Sequence, residues 1–143
     1  MPRSKARRSA AAALAKLYES LPRVECRGLC HDSCGPIGMT TIEQAQMEDA
    51  HGGPLPPHMP APDAIQAIRC PLLTADKRCS IYRARPLICR LWGVVDDDLM
   101  RCPHGCRPVP RYLTNHETQA IFAKADAISA RYEEESHAHD DSA

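Results

Sequence analysis

Eight cysteines in a chain of 143 residues constrain this protein more than any other feature of its sequence. Three of them are spaced four residues apart in the segment CRGLCHDSCG, and the other five lie between residues 70 and 106. A thiolate is both a nucleophile and a metal ligand, and filling a core does not require clustered thiols. We therefore predict that the cysteines bind metal, namely Cys26, Cys30, Cys34, Cys70, Cys79, Cys89, Cys102 and Cys106.

The beginning of the chain bears on whether these cysteines form disulfides. It is basic, but it lacks the apolar run of about 7 to 15 residues that is typical of a secretory signal. No later stretch is apolar enough to cross a bilayer. We therefore expect a cytoplasmic protein with no membrane partner. Cytoplasmic reductants keep thiols reduced, which favours free or metal-bound cysteines over a disulfide framework.

The composition predicts a thin apolar core. The hydrophobic fraction of 43% includes much alanine, and aromatic residues make up only 4% of the chain. Structural zinc can contribute on the order of 10–16 kcal/mol, which exceeds what a net stability of about 5–15 kcal/mol needs. We predict a small, irregular, mainly α fold, with helices and long loops around a cysteine-rich, metal-stapled core and little or no sheet. The formal net charge of zero argues against nucleic acid as a partner.

A chain of this length is expected to form a single domain over residues 1–143. Apolar periodicity predicts a helix near each end, and the charges beyond each helix predict a solvated tail. The predicted parts are a basic tail over 1–8, an N-terminal helix over 9–22, a cysteine-cluster region over 24–106, a C-terminal helix over 114–133 and an acidic tail over 134–143.

Two helix starts carry the pattern of a capping box, in which a threonine and a glutamate three residues later bind each other's backbone N–H groups. Thr40-x-x-Glu43 predicts one helix, and Thr114-x-x-Glu117 predicts the C-terminal one. Residues 54–62 are rich in proline, which predicts a semi-rigid, polyproline-like linker.

Cations flank the central cysteines, namely Arg69, Lys77, Arg78, Arg83, Arg85 and Arg90. A four-thiolate site carries a charge of about −2, whether it holds zinc or an oxidised cubane cluster, and burying that charge requires cations or N–H groups nearby. The arginines suit this role. A phosphate-binding patch is the competing interpretation, because arginine also recognises phosphate.

The identity of the metal stays open at this point, between zinc and an iron-sulfur cluster of the 4Fe-4S type. The C-x3-C spacings, the lack of a C-x2-C knuckle and the arginines favour the cubane cluster. Eight cysteines also suit two separate Zn(Cys)4 sites. His31, next to Cys30, is expected to face solvent rather than to bind the metal.

The chain resembles the YkgJ-type cysteine-cluster family, described as a zinc- or iron-chelating domain. The resemblance covers residues 24–106, although members often have adjacent cysteines where this chain has Ser33 and Cys34. It depends on the late cysteines, the Thr-x-x-Glu helix and the motifs Cys26-x3-Cys30-x3-Cys34-Gly35, Cys70-Pro71-x-Leu73, Cys79-Ser80-Ile81-Tyr82 and Arg85-Pro86-x2-Cys89-Arg90.

The leading functional interpretation is a metal-binding protein with a structural or regulatory role, for which a protein partner is conceivable. The resemblance also implies a second class, because related clusters occur in flagellin lysine N-methylases and are linked there to iron-sulfur chemistry. The sequence has no glycine-rich cofactor loop and is short for a methylase, so we lean against an enzyme. A third class is a metal-stapled interaction module that binds acidic partners through its arginines.

Overall fold

The structure is a computed structural model that describes residues 4–30, 34–35, 37–56 and 69–141. Within these ranges it contains four α-helices and one small antiparallel sheet, so the prediction of a mainly α, irregular fold with little sheet is confirmed. None of the helices in the described ranges has the length and hydropathy needed to cross a membrane. The elements are α1 (Lys5–Glu19), β1 (Arg23–Val24), α2 (Thr41–His51), a 3-10 helix (Tyr82–Ala84), α3 (Leu87–Leu91), β2 (Pro108–Val109) and α4 (Asn115–Asp140).

The main core lies where α1 packs against α4. The buried face of α1 has apolar residues at helical spacing, which places them on one side of the helix. Burying one such leucine or isoleucine contributes on the order of 1.5–3 kcal/mol. The core residues are Ala10, Leu14, Leu17, Leu21, Ile42, Leu87, Leu91, Val94, Val95, Leu113 and Ala125.

A smaller apolar cluster lies beside the main core and consists of Met47, Leu72 and Ile81. Cys70 and Cys79 pack against it. Packing against apolar side chains, rather than regular secondary structure, therefore holds these two predicted ligands in place.

Helix α1 begins at Lys5, so our prediction of a basic tail over 1–8 was wrong for the residues from Lys5 onward. The Ser4 hydroxyl caps the helix by accepting a hydrogen bond from the Arg7 backbone N–H at 3.2 Å. The Arg7 guanidinium also donates to the Ala45 carbonyl at 2.6 Å and pairs with Asp49 at 2.7 Å. These contacts with α2 hold the basic segment in the fold.

Helix α4 continues to Asp140, which corrects our prediction of an acidic tail from residue 134. Glutamate, alanine and arginine are good helix formers, and Arg131 pairs with Glu135 one turn later at 2.9 Å. Tyr132 packs against the main core, and Glu133 accepts a hydrogen bond from the Thr41 hydroxyl. The acidic residues therefore extend the helix.

Both predicted capping boxes are present, at the starts of α2 and α4. Gly52 ends α2 in the left-handed conformation. Residues 57–62 of the predicted proline-rich linker lie outside the described residues.

The Glu43 carboxylate connects three helices. It is only 4% exposed, and beyond its capping role at Thr40 it accepts hydrogen bonds from the Tyr18 hydroxyl at 2.8 Å and the Leu87 backbone N–H at 2.6 Å. The Arg90 guanidinium lies over the Tyr18 ring at 4.0 Å. Burial, and then the charge of Glu43, raise the pKa of Tyr18, which keeps the hydroxyl a donor.

We predict that Glu43→Gln lowers the free energy of unfolding by about 2 to 4 kcal/mol, because the amide NH2 would face backbone or hydroxyl donors and leave them unpaired in the interior. Urea denaturation followed by circular dichroism measures this loss. Glu117→Gln is the matched control, since Glu117 is the equivalent capping-box glutamate of α4 at a partly exposed position. A loss as large for Glu117→Gln as for Glu43→Gln would contradict the prediction.

Candidate metal centre

The structure brings the cysteines into two groups of four, and all eight are free thiols. Group 1 combines residues from the first cysteine cluster with the last pair. Group 2 combines the end of the first cluster with the central segment. Group 1 consists of Cys26, Cys30, Cys102 and Cys106, and group 2 consists of Cys34, Cys70, Cys79 and Cys89.

The closest pair in group 1 is Cys30 and Cys102, whose Sγ atoms are 3.8 Å apart although the residues are 72 positions apart in sequence. Cys26 is near enough that its charge raises the pKa of Cys30, after the larger effect of burial. Burial raises the pKa of Cys102, whereas the nearby Cys106 side chain lowers it. The thiols of group 1 thus connect the loop that contains Cys26 and Cys30 with the loop that contains Cys102 and Cys106.

The small sheet explains why the two loops of group 1 meet. Strand β1 lies just before Cys26 and strand β2 lies just after Cys106, and they pair antiparallel with Val24 opposite Pro108. Cys26 follows β1 by two residues and Cys106 precedes β2 by two residues, so the strand pairing brings their two loops to the same end of the sheet.

Backbone N–H groups point at the sulfurs of group 1. The Gly28 N–H donates to Cys26 Sγ at 3.3 Å, and Gly28 has a φ of 70°, which an L side chain rarely adopts. Although burial alone would raise the pKa of Cys102, hydrogen bonds from the His104 and Cys106 backbones lower it below the usual thiol value. Such donors stabilise a charged sulfur in preference to a neutral one.

Group 2 is held by contacts between loops. The Cys70 N–H donates to the Cys34 carbonyl at 3.1 Å. Cys79 forms an isolated bridge with Leu73, which closes the turn over residues 74–78. Cys89 comes from α3.

The thiols of group 2 influence one another. Burial raises the pKa of Cys89 to about 12, and the charges of Cys70, Cys79 and Cys34 add to the rise, while Arg85 opposes it. Burial likewise raises the pKa of Cys34, and the charges of Cys70 and Cys79 add to that rise. These effects fall off with distance, so the four side chains lie close to one another, and Cys26 of group 1 also acts on Cys34.

Of the predicted cations, Arg85 lies beside the group 2 thiols, where it lowers the pKa of Cys34 and Cys89. Arg90 is also close enough to Cys89 for their charges to interact. The Arg85 guanidinium is held over the Tyr82 ring at 3.7 Å, and its Nε donates to the Tyr82 carbonyl at 2.9 Å. Arg90 instead donates to the carbonyls of Arg83 and Arg85 at 2.8 Å each. Arg85 can thus offset thiolate charge, while Arg90 organises the backbone around it.

Within the described ranges, no three cysteine, histidine, aspartate or glutamate side chains converge closely enough to form a ready-made ion site. Burial raises the pKa of Cys30, Cys34 and Cys70, so these groups stay neutral thiols until a cation displaces their protons. The sulfurs therefore lie near one another, but they do not converge on a single ion position. His31, which was expected to face solvent, lies outside the described residues.

A cavity of about 440 Å³ lies between the two groups, with Cys26, Cys30 and Cys102 of group 1 and Cys89 of group 2 in its wall. Sequence reasoning found no pocket, because the wall comes from separate segments that only the fold brings together. The volume is within the range of about 300–1,000 Å³ that is usual for small-molecule sites.

Trp92, which sequence reasoning did not select, also lies in this wall. Its Nε1 atom is buried and has no partner in normal hydrogen-bond geometry among the described residues, yet the indole lies near enough to Cys30 to lower the pKa of that thiol. The only sequence signal was that the single tryptophan of the chain follows Cys89 by three residues.

Comparison with protein families gave a match over residues 25–107, which is more than half of the chain. The matching family is CxxCxxCC, described as a "putative zinc- or iron-chelating domain". No curated protein and no solved structure gave a match. The matched segment contains all eight cysteines.

We predict that mild oxidation of metal-free protein with diamide links Cys30 to Cys102 before any other pair, because their sulfurs are in contact. Peptide mapping by mass spectrometry identifies the linkage, and Cys30→Ser is the control that should abolish it. A first linkage between the two groups, such as Cys102 to Cys89, would contradict the grouping.

Proposed function

The chain belongs to the CxxCxxCC family of cysteine-rich domains, and from this premise we propose that it binds two metal ions, one at each four-cysteine group. Metal binding through cysteines is the function that the family membership supports in general terms. The finer proposal is that each ion is held singly by thiolates and that its role is structural or regulatory.

The main support for the proposal is the distance between Cys30 Sγ and Cys102 Sγ. A tetrahedral zinc site with metal–sulfur bonds of about 2.3 Å has sulfur–sulfur edges of about 3.8 Å, which is the separation of this pair. In a cubane cluster each cysteine binds a different iron atom, so the sulfurs stand farther apart. This distance therefore favours a mononuclear site at group 1 over the cubane cluster that the spacing and the arginines suggested.

Two packed thiols would also touch at this distance, so the surroundings of the sulfurs matter. Backbone N–H groups point at Cys26 and Cys102, and the buried indole N–H of Trp92 is near Cys30. Neutral thiols gain little from such donors, whereas thiolates gain much more. These hydrogen-bond donors are therefore suited to a charged, metal-bound sulfur.

The ions would cross-link parts of the chain that the thin core joins only weakly. Group 1 connects the loop after β1 with the loop before β2, and group 2 connects α3 with two further loops. Zinc is the first candidate because four thiolates satisfy its tetrahedral preference and it has no redox chemistry of its own. The proposal places the protein in the cytoplasm, where thiols stay reduced, and allows a protein partner on the stapled surface.

A cluster-dependent enzyme related to the flagellin lysine N-methylases is the second candidate. The cavity between the two groups favours it, because a substrate there would contact sulfurs of both. This candidate requires a cluster, so the identity of the metal decides between the two.

We predict two zinc ions per chain in protein made and purified without oxygen. Cys102→Ser and Cys79→Ser should each leave one ion, and the double variant should leave none, because each change removes a ligand from a different group. Elemental analysis of iron, zinc and acid-labile sulfide provides the measurement. If either single variant lost both ions, the division into two sites would be wrong.

The same anaerobic sample tests the cluster. Broad absorbance near ~400 nm with equimolar iron and sulfide would establish the cubane alternative and overturn the zinc proposal. We expect colourless protein instead.

Metal removal should also lower the thermal stability of the folded protein. We predict that a strong chelator under reducing conditions lowers the melting temperature well below that of the untreated protein, since binding free energy is folding free energy in small metal-stapled domains. Thermal melts by circular dichroism measure the change, and added zinc should restore the original transition. An unchanged transition in verified metal-free protein would contradict this coupling.

A further inference from the structure

We propose that Trp92 positions the Cys30 thiolate by donating its indole Nε1–H to that sulfur once group 1 holds a metal ion. This inference rests on the proposed function, because the acceptor is the metal-bound thiolate. It makes Trp92 a positioning residue for one of the two sites.

The first observation is the indole N–H itself. Trp92 Nε1 is buried, and in the part of the chain that the structure describes it has no partner in normal hydrogen-bond geometry. Burying a donor without a partner is unfavourable, and tryptophans in protein interiors usually find one. An acceptor that forms only in the metal-bound state would satisfy this donor.

The second observation is the location of the side chain. Trp92 shares the cavity wall with three cysteines of group 1 and with Cys89 of group 2, and its indole lies within interaction distance of the Cys30 thiol. A thiolate accepts hydrogen bonds more strongly than a thiol, so metal binding and N–H donation reinforce each other.

The third observation concerns the backbone that carries Trp92. The residue directly follows α3, which carries Cys89 of group 2. The N-terminus of α3 is held in turn by the Glu43 carboxylate through the Leu87 N–H. The donor to group 1 is therefore placed by the helix that supplies a ligand to group 2.

Packing alone is the competing explanation, and it predicts a different response to substitution. Phenylalanine keeps an apolar ring in the cavity wall but removes the N–H. If Trp92 only packs, Trp92→Phe should affect thermal stability and leave the metal site unchanged.

The test compares full-length wild type with Trp92→Phe, using Zn²⁺ in competition with a chromophoric chelator and Co²⁺ as a spectroscopic substitute. We expect the affinity for one of the two zinc ions to fall by about 10- to 100-fold, as is usual when an outer-shell partner is removed. The other zinc affinity should be unchanged. The sulfur-to-cobalt charge-transfer band should shift to longer wavelength, because the sulfur lone pairs lose a stabilising donor.

Val94→Ala is the control for packing, since Val94 is 2% exposed and lies in the same cavity wall. It should lower the melting temperature without changing either zinc affinity or the cobalt band. Equal affinities and an unshifted band in Trp92→Phe would overturn the inference. A wild type that binds no metal stoichiometrically would instead overturn the proposed function.

A second measurement keeps Trp92 in place and remains decisive if Trp92→Phe fails to fold. Because Trp92 is the single tryptophan, its fluorescence reports only on its own surroundings. Zn²⁺ should change the emission of wild type and of Cys79→Ser, in which group 1 is intact, but not of Cys102→Ser. A response that persists in Cys102→Ser and disappears in Cys79→Ser would place Trp92 at the other site and refute the inference.

Discussion

The buried Glu43 carboxylate is the interaction on which the rest of the structure depends. It caps α2, accepts the Tyr18 hydroxyl of α1 and accepts the first backbone N–H of α3, so one charged group sets the arrangement of three helices. A buried carboxylate is tolerable only when donors surround it. Since α3 carries Cys89, the position of a candidate ligand is tied to this network.

Weaker, local interactions hold the cysteines in place. The short β1–β2 pair aligns the two loops of group 1, and backbone N–H groups point at their sulfurs. Group 2 relies on a turn and on an apolar cluster against which Cys70 and Cys79 pack. Neither arrangement is a preformed ion site in the described residues, which is what is expected where an ion and the fold stabilise each other.

Local physical chemistry explains which sequence predictions agreed with the structure. The capping boxes at Thr40 and Thr114 were readable because both partners lie within one turn of helix. The tail predictions were wrong because charge was taken as a sign of solvation. Lys5 onward is helical through contacts of Arg7 with α2, and the acidic residues after 133 extend α4 through intrahelical pairing and helix propensity.

Residue type and short-range spacing were enough to predict the mainly α class, the helix starts and the set of eight candidate sulfur ligands. Long-range packing brings particular sulfurs together, since Cys30 and Cys102 are 72 residues apart and meet near the paired strands β1 and β2. It also forms the cavity and brings the buried Trp92 N–H near a sulfur, which gives that N–H a candidate acceptor. Long-range packing selects such neighbours, and no local pattern encodes them.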